Sequence, residues 1–198
     1  MIRDFPQIIN LFDSFEYSEI DINSINKRIF TISGINTFFQ SIQDLIFVKN
    51  LLNPNNAYIN NQKIEFGDFQ TPIELTNKVI SILNFDQLHP SVIIEPTAGI
   101  GNFILTLIKL LNNPIKIYCI EINKIYFWIA KLRVLEFYLN NETNLRHQIY
   151  FFNSDIFNFA FKENIILKST DRLLILGNPP WVTNSQLGKL ESGNAPTK

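Results

Sequence analysis

The hydrophobic positions change rhythm near residue 66. Before it, apolar residues are interrupted by Asn and Ser, and the clearest periodicity lies in IFTISGINTFFQSIQDLIFVKNLL. There Ile35, Phe38, Phe39, Ile42, Leu45 and Ile46 recur at three- and four-residue spacing, which predicts an amphipathic helix. LNPNNAYINNQ (52–62) reads as a turn-rich connector. Residues 1–65 are therefore expected to be a mainly helical region.

From residue 66 the pattern becomes regular. TPIELTNKVISILN (71–84) places Thr71 at the N-cap, Pro72 at the first helical position and Glu74 three residues after the cap, which predicts a capping box. Strand SVIIE (91–95) follows, then the turn PTAGIG and the helix NFILTLIKLL. Strand IKIYCIE (115–121), a long helix over 124–140, strand QIYFFNSD (148–155), a mixed segment to Lys168 and strand DRLLILG (171–177) complete the series. Short continuous apolar strands alternating with helices predict an α/β domain over 66–184, a doubly wound and mostly parallel sheet, followed by a polar tail at 185–198. Right-handed crossovers would gather the carboxyl ends of the strands along one edge.

Composition narrows the function. A chain of 198 residues that is 46% hydrophobic can bury a substantial core. Its net charge of −1 supplies no electrostatic argument for holding a nucleic-acid backbone. The single Cys119 rules out an internal disulfide framework and reads as a buried thiol within IKIYCIE. His89 and His147 stand apart from any acid or thiol at ligand spacing, so no metal is expected. No apolar run reaches the length of a membrane span, and a cytoplasmic location without membrane contact is expected.

Ligands in open α/β sheets bind outside the carboxyl ends of the strands. Those ends read Glu95, Glu121, Asp155 and Asn178. In EPTAGIGNF, Gly99 and Gly101 let the backbone turn sharply and approach a ligand closely. The dinucleotide fingerprint is broken because position 104 is Ile. Glu95 disfavours a pyrophosphate and suits a cationic, phosphate-free ligand; a plain tight turn is the competing reading. Glu121 is placed to accept from ribose hydroxyls, or to be a solvated strand-end carboxylate. Asp155 can accept from an adenine amino group while Ile156 packs on the ring, or Asp155 can cap a turn.

The fourth end carries NPPW. A nucleobase amine is a weak nucleophile because its lone pair is delocalised into the ring. A site that activates it should accept both N–H hydrogens and hold the nitrogen in line. The side-chain oxygen of Asn178 offers one acceptor and the carbonyl of Pro179 the other, with Pro180 stiffening the corner and Trp181 offering a face for an extruded base. The competing reading is a proline turn with a core tryptophan.

Taken together, these residues resemble the S-adenosylmethionine-dependent N6-adenine DNA methyltransferases of restriction–modification systems. The likeness covers residues 66–184. GDFQTP (67–72), with Phe69, Thr71 and Pro72, resembles the segment that contacts the methionine carboxylate of the cofactor. EPTAGIGNF resembles the glycine loop, bringing in Pro96 beside Glu95, Gly99 and Gly101, with Glu95 toward the methionine end. Glu121 and Asp155 match the ribose and adenine acceptors, and NPPW is a form of the catalytic motif. The resemblance implies a Rossmann-like class I methyltransferase fold, S-adenosylmethionine as cofactor and double-stranded DNA as partner. The family continues with further strands and a target-recognition region, so the chain is expected to be the N-terminal portion of such an enzyme, C-terminally incomplete. A complementing subunit or further segment would then carry most of the DNA contact. Methylation of another amine (a protein glutamine, an RNA base or cytosine N4) and a non-catalytic cofactor-binding subunit are the alternatives.

Overall fold

The computed structural model describes residues 5–15, 21–53, 70–141, 143 and 145–179. Five strands form one sheet in the order β1-β4-β3-β2-β5, with every neighbouring pair parallel. They are β1 (Ile35–Asn36), β2 (Val92–Glu95), β3 (Lys116–Glu121), β4 (Gln148–Asn153) and β5 (Leu173–Ile175). The helices are α1 (Pro6–Asp13), α2 (Ile22–Ser33), α3 (Ile42–Leu52), α4 (Ile73–Ile82), α5 (Phe85–Leu88), α6 (Asn102–Leu110), α7 (Lys124–Asn140) and α8 (Phe161–Asn164).

Strand side chains alternate between two apolar layers, as the period of two requires. Ile93, Ile117, Cys119, Ile149 and Phe151 enter the larger core with α1–α4, α6 and α7. Val92, Ile94, Tyr118 and Ile120 face the other way, against Phe159 and Ile165. The strand order reverses after β4, so the chain returns to β5 across the opposite face, and the sheet is doubly wound. Cover on the two faces is unequal: the second carries the 154–170 connection and the four-residue α8, and leaves Leu173 and Ile175 of β5 exposed.

The N-terminal region departs from the expected single helix over Ile35–Ile46. Gly34 ends α2 in a left-handed conformation (φ 71°), and a Cβ there would lie 1.9 Å from the His147 carbonyl oxygen. The chain thus enters the sheet, and Ile35 pairs with Ile149. Phe38 and Phe39 are buried in a loop rather than on a helix face. Asn26 donates to the Phe39 carbonyl and accepts from its N–H, while Lys131 Nζ donates to the Thr37 and Phe38 carbonyls. Side chains thereby satisfy backbone groups that a helix would have paired. Ile42 and Ile46, expected to be buried, are 43% and 53% exposed. The expected connector at 52–62 lies mostly outside the described residues.

Helix α7 joins this region to the sheet. Asn123 caps it by accepting from the Ile125 and Tyr126 N–H groups. Most of its circumference is buried, since it lies between the sheet and the N-terminal helices. Glu136 on α7 accepts from the Gln7 and Ile8 N–H groups at the start of α1.

Helix α4 corrects the expected capping box. Its N-cap is Pro72, with no side-chain cap, and Ile73 is its first residue. The Thr71 carbonyl instead accepts from Asn102 Nδ2 at 2.6 Å.

Candidate functional site

The sheet reverses its order between β2 and β5, and a crevice at such a switch point is where open α/β sheets take ligands. Leu176 N–H donates to the Ile94 carbonyl at 3.0 Å, carrying the pairing past β5. Gly177 then lies against the Glu95–Thr97 turn: a Cβ there would come 3.3 Å from Pro96 Cδ and 3.6 Å from Thr97 Oγ1. The first and fourth predicted strand ends are therefore neighbours, and Asn178 follows directly, half-buried.

The glycine loop is held by side chains on three sides. Gly99 (φ 53°) and Gly101 (φ 80°) occupy the left-handed region, which a side chain would strain. Gly99 N–H donates to Glu121 Oε2 at 2.7 Å, and Asn123 N–H donates to Glu121 Oε1 at 2.7 Å. Ile100 N–H donates to Gln70 Oε1 at 2.9 Å. Arg133, reaching over from α7, donates through Nη1 to the Ile100 carbonyl and to Asn102 Oδ1, both at 2.7 Å. Gly101 also lets the loop close on α7, where an added Cβ would meet Ala130 Cβ at 3.1 Å.

Glu95 is the anomalous group. Its side chain is 1% exposed, and its Oε2 has no hydrogen-bond partner among the described residues; nor has the buried Thr97 Oγ1. Burial raises its carboxyl well above the usual range, and the neighbouring Glu121 charge raises it further; the Ile104 backbone amide pulls weakly the other way. A buried carboxyl with an orphan oxygen is costly and marks a candidate site.

The remaining predicted residues divide. Glu121 is buried and faces the glycine loop, so it shapes the loop as well as charging the site. Asp155 sits past the end of β4, and its carboxylate accepts from the Phe157 N–H and from Asn158 Nδ2, the turn arrangement. Ile156 packs against the second-face core. Thr71 lies beside the loop through Asn102, Pro72 starts α4, and Pro96 is half-buried next to Gly177. Pro179 is exposed, while Phe69, Pro180 and Trp181 lie outside the described residues.

Gln70, Thr97, Asn102 and Arg133 were not singled out from sequence. Gln70 stands inside GDFQTP and Asn102 inside EPTAGIGNF, so both motifs contained the signal; Arg133 had none. Among the described residues no cluster of His, Cys, Asp and Glu could hold a metal ion, and no helix is long and apolar enough to cross a membrane.

No protein-family profile matches the chain. Distantly similar solved structures include the following two. One is a modification subunit of a putative type I restriction enzyme from Vibrio vulnificus YJ016, with TM-score 0.44, 15% identity, and coverage of 77% of this chain and 32% of that one. The other is the type IIG restriction endonuclease BpuSI, with TM-score 0.47, 19% identity, and coverage of 97% and 26%. Both likenesses are too remote to bear on function. A curated relative is far nearer in sequence: over 137 residues, 69% of its length, this chain is 39% identical to the Type II methyltransferase M.NspV of Nostoc sp. (strain ATCC 29411 / PCC 7524), of which it spans 27%.

Proposed function

We propose that this chain carries the S-adenosylmethionine site and the amine clamp of a restriction–modification methyltransferase acting on adenine N6 in DNA. The observation that carries this reading is the buried carboxyl oxygen of Glu95, without a hydrogen-bond partner among the described residues, where β2 and β5 meet against Gly177, the residue before NPPW. A cationic ligand supplies what that oxygen lacks. An α-ammonium group would donate the missing hydrogen bond and a sulfonium would set a positive charge beside the carboxyl, whereas a pyrophosphate would be repelled. The 39% identity to the Type II methyltransferase M.NspV supports the methyltransferase part of this reading.

The residues present fit the cofactor. Glu95 and Thr97 offer buried acceptors, Glu121 fixes the glycine loop, and the missing side chains at Gly99 and Gly177 let the Gln70 carboxamide and the Glu95–Thr97 turn pack closely around them. When bound, the cofactor supplies a methyl group on positively charged sulfur. The chain's own task is to exclude water at the switch point and to orient the accepting amine. Asn178 Oδ1 and the Pro179 carbonyl would take that amine's two hydrogens, leaving the nitrogen lone pair aimed at the methyl carbon. Trp181 would stack on the extruded base, a contact worth about 1–3 kcal/mol on comparable aromatic platforms. Adenine is proposed over other planar amines from the resemblance of GDFQTP and NPPW. With a net charge of −1, the duplex contact is assigned to a further segment or a complementing subunit.

The test is transfer of labelled methyl from S-adenosylmethionine to DNA, followed by nucleoside analysis, with the chain and any complementing segment present. N6-methyladenine should appear with the wild type. Asn178→Ala should lower transfer by at least a hundredfold while cofactor affinity stays within about threefold. Label on another base or on protein, or equal loss of binding and transfer in the variant, would overturn the assignment.

A further inference from the structure

Arg133 is a half-buried cation with no acidic partner among the described residues, yet its Nη1 makes two short hydrogen bonds, both 2.7 Å. They reach two points that matter to the site. The Ile100 carbonyl belongs to the glycine loop, and Asn102 is the first residue of α6. Asn102 is bifunctional: its Oδ1 accepts from Arg133 while its Nδ2 donates to the Thr71 carbonyl at 2.6 Å. The N–H of Ile100, on the other side of the same residue, donates to Gln70. A chain of bonds therefore runs from α7 through the loop to the Gln70–Thr71 segment, crossing three elements that are distant in sequence.

We propose that Arg133 is a positioning residue that locks the glycine loop and the Gln70–Thr71 segment into one rigid ligand-facing unit. The inference rests on the cofactor site proposed above, and it extends that site to a residue in the helix layer. A planar guanidinium suits the task because the two hydrogens of Nη1 are fixed in one plane and aim at the carbonyl and the amide oxygen together, whereas the donors of a lysine ammonium rotate and are strongly hydrated. The backbone freedom of the loop explains the need. Left-handed glycines are permissive, and a loop containing two of them requires outside contacts to keep a single conformation. Arg133 is not what holds α4 on α6: a buried hydroxyl pair, Thr76 and Thr106 at 2.7 Å, joins those helices independently. Removal of the guanidinium should therefore loosen the loop and leave the core folded.

The experiment reads Arg133→Met, Arg133→Lys and Asn102→Ala in two ways. Amide hydrogen exchange in the ligand-free protein should rise about tenfold at Ile100 and Gly101 in Arg133→Met and in Asn102→Ala, with strands β2–β4 unchanged. Calorimetric titration with S-adenosylmethionine should show about tenfold weaker binding for the same two variants, and partial rescue in Arg133→Lys. Unchanged exchange at Ile100 and Gly101 overturns the proposal, as does a loosened loop with unaltered affinity. Failure of the wild type to bind S-adenosylmethionine overturns the cofactor reading instead, while the exchange data still decide whether the lock exists. Should Arg133→Met not fold, Asn102→Ala breaks the same chain at a residue where alanine suits the helix.

Discussion

Replacing Glu95 with Gln keeps the shape of a protonated carboxyl and removes its ability to ionise. In the folded protein burial and Glu121 hold the Glu95 carboxyl well above 4.5, while in the unfolded chain it titrates near that value. Below pH 4.5 both states are protonated and the group contributes nothing to pH dependence. As pH rises above it, the unfolded chain releases a proton that the folded state retains, and stability falls by up to about 1.4 kcal/mol per pH unit. From 4.5 to 7 the ceiling is roughly 3 kcal/mol. The new amide N–H has no partner at the position of Oε2, which costs about 1 kcal/mol at every pH. Glu95→Gln should therefore be more stable than the wild type at pH 7 by about 1–2 kcal/mol, or some 3–6 °C in melting midpoint for a chain of this size. The difference should shrink as pH falls, change sign at about pH 5 where the two contributions cancel, and stay constant below 4.5. Thermal and urea unfolding of both proteins from pH 4 to pH 8 measures it. A variant less stable than wild type at pH 7, by an amount that does not change with pH, would refute the reasoning. Glu95 would then be ionised and paired. On the proposed function, the gain should be accompanied by weaker binding of S-adenosylmethionine.

Lys131 is buried among Phe38, Phe127 and Trp128, and burial lowers its ammonium to about 7, against a weaker opposing pull from Asp44. The folded state thus refuses a proton that the unfolded chain accepts below 10.5, so stability is greatest above 10.5, falls as pH drops toward 7 and is flat below that. Lys131→Met should abolish this slope, worth on the order of 4 kcal/mol in total, as read by urea unfolding between pH 7 and 10; an unchanged slope would show that Lys131 is solvated. Cys119 is 1% exposed and burial pushes its thiol up, so an aromatic disulfide reagent should modify it only on global unfolding; rapid native labelling would contradict the packing of β3.

The strands and the long helix were legible because their apolar runs are short, continuous and rich in branched and aromatic residues. IKIYCIE became Lys116–Glu121, and the helix expected over 124–140 is α7. Two features were not legible, for physical reasons. Strand β1 is two residues long, and the periodicity around it arises from two phenylalanines in a loop held by Asn26 and Lys131 from distant helices. Thr71 has the composition of a cap, but a tertiary bond from Asn102 claims its carbonyl and the helix begins later. The site shows the same division. Glu95, the two glycines, Glu121 and Asn178 could be read from their positions at strand ends, which topology brings together. The contacts that hold them cannot, since Gln70 and Arg133 act on backbone groups 30 and 33 residues away.

The most direct measurement is calorimetric titration of the wild type and Glu95→Gln with S-adenosylmethionine at pH 6–7, repeated in buffers of different ionisation enthalpy. The account predicts saturable binding by the wild type with release of a proton, as the cation ionises Glu95, and weaker binding without proton release by the variant. No binding by the folded wild type, or equal binding with no proton released by either protein, would contradict it.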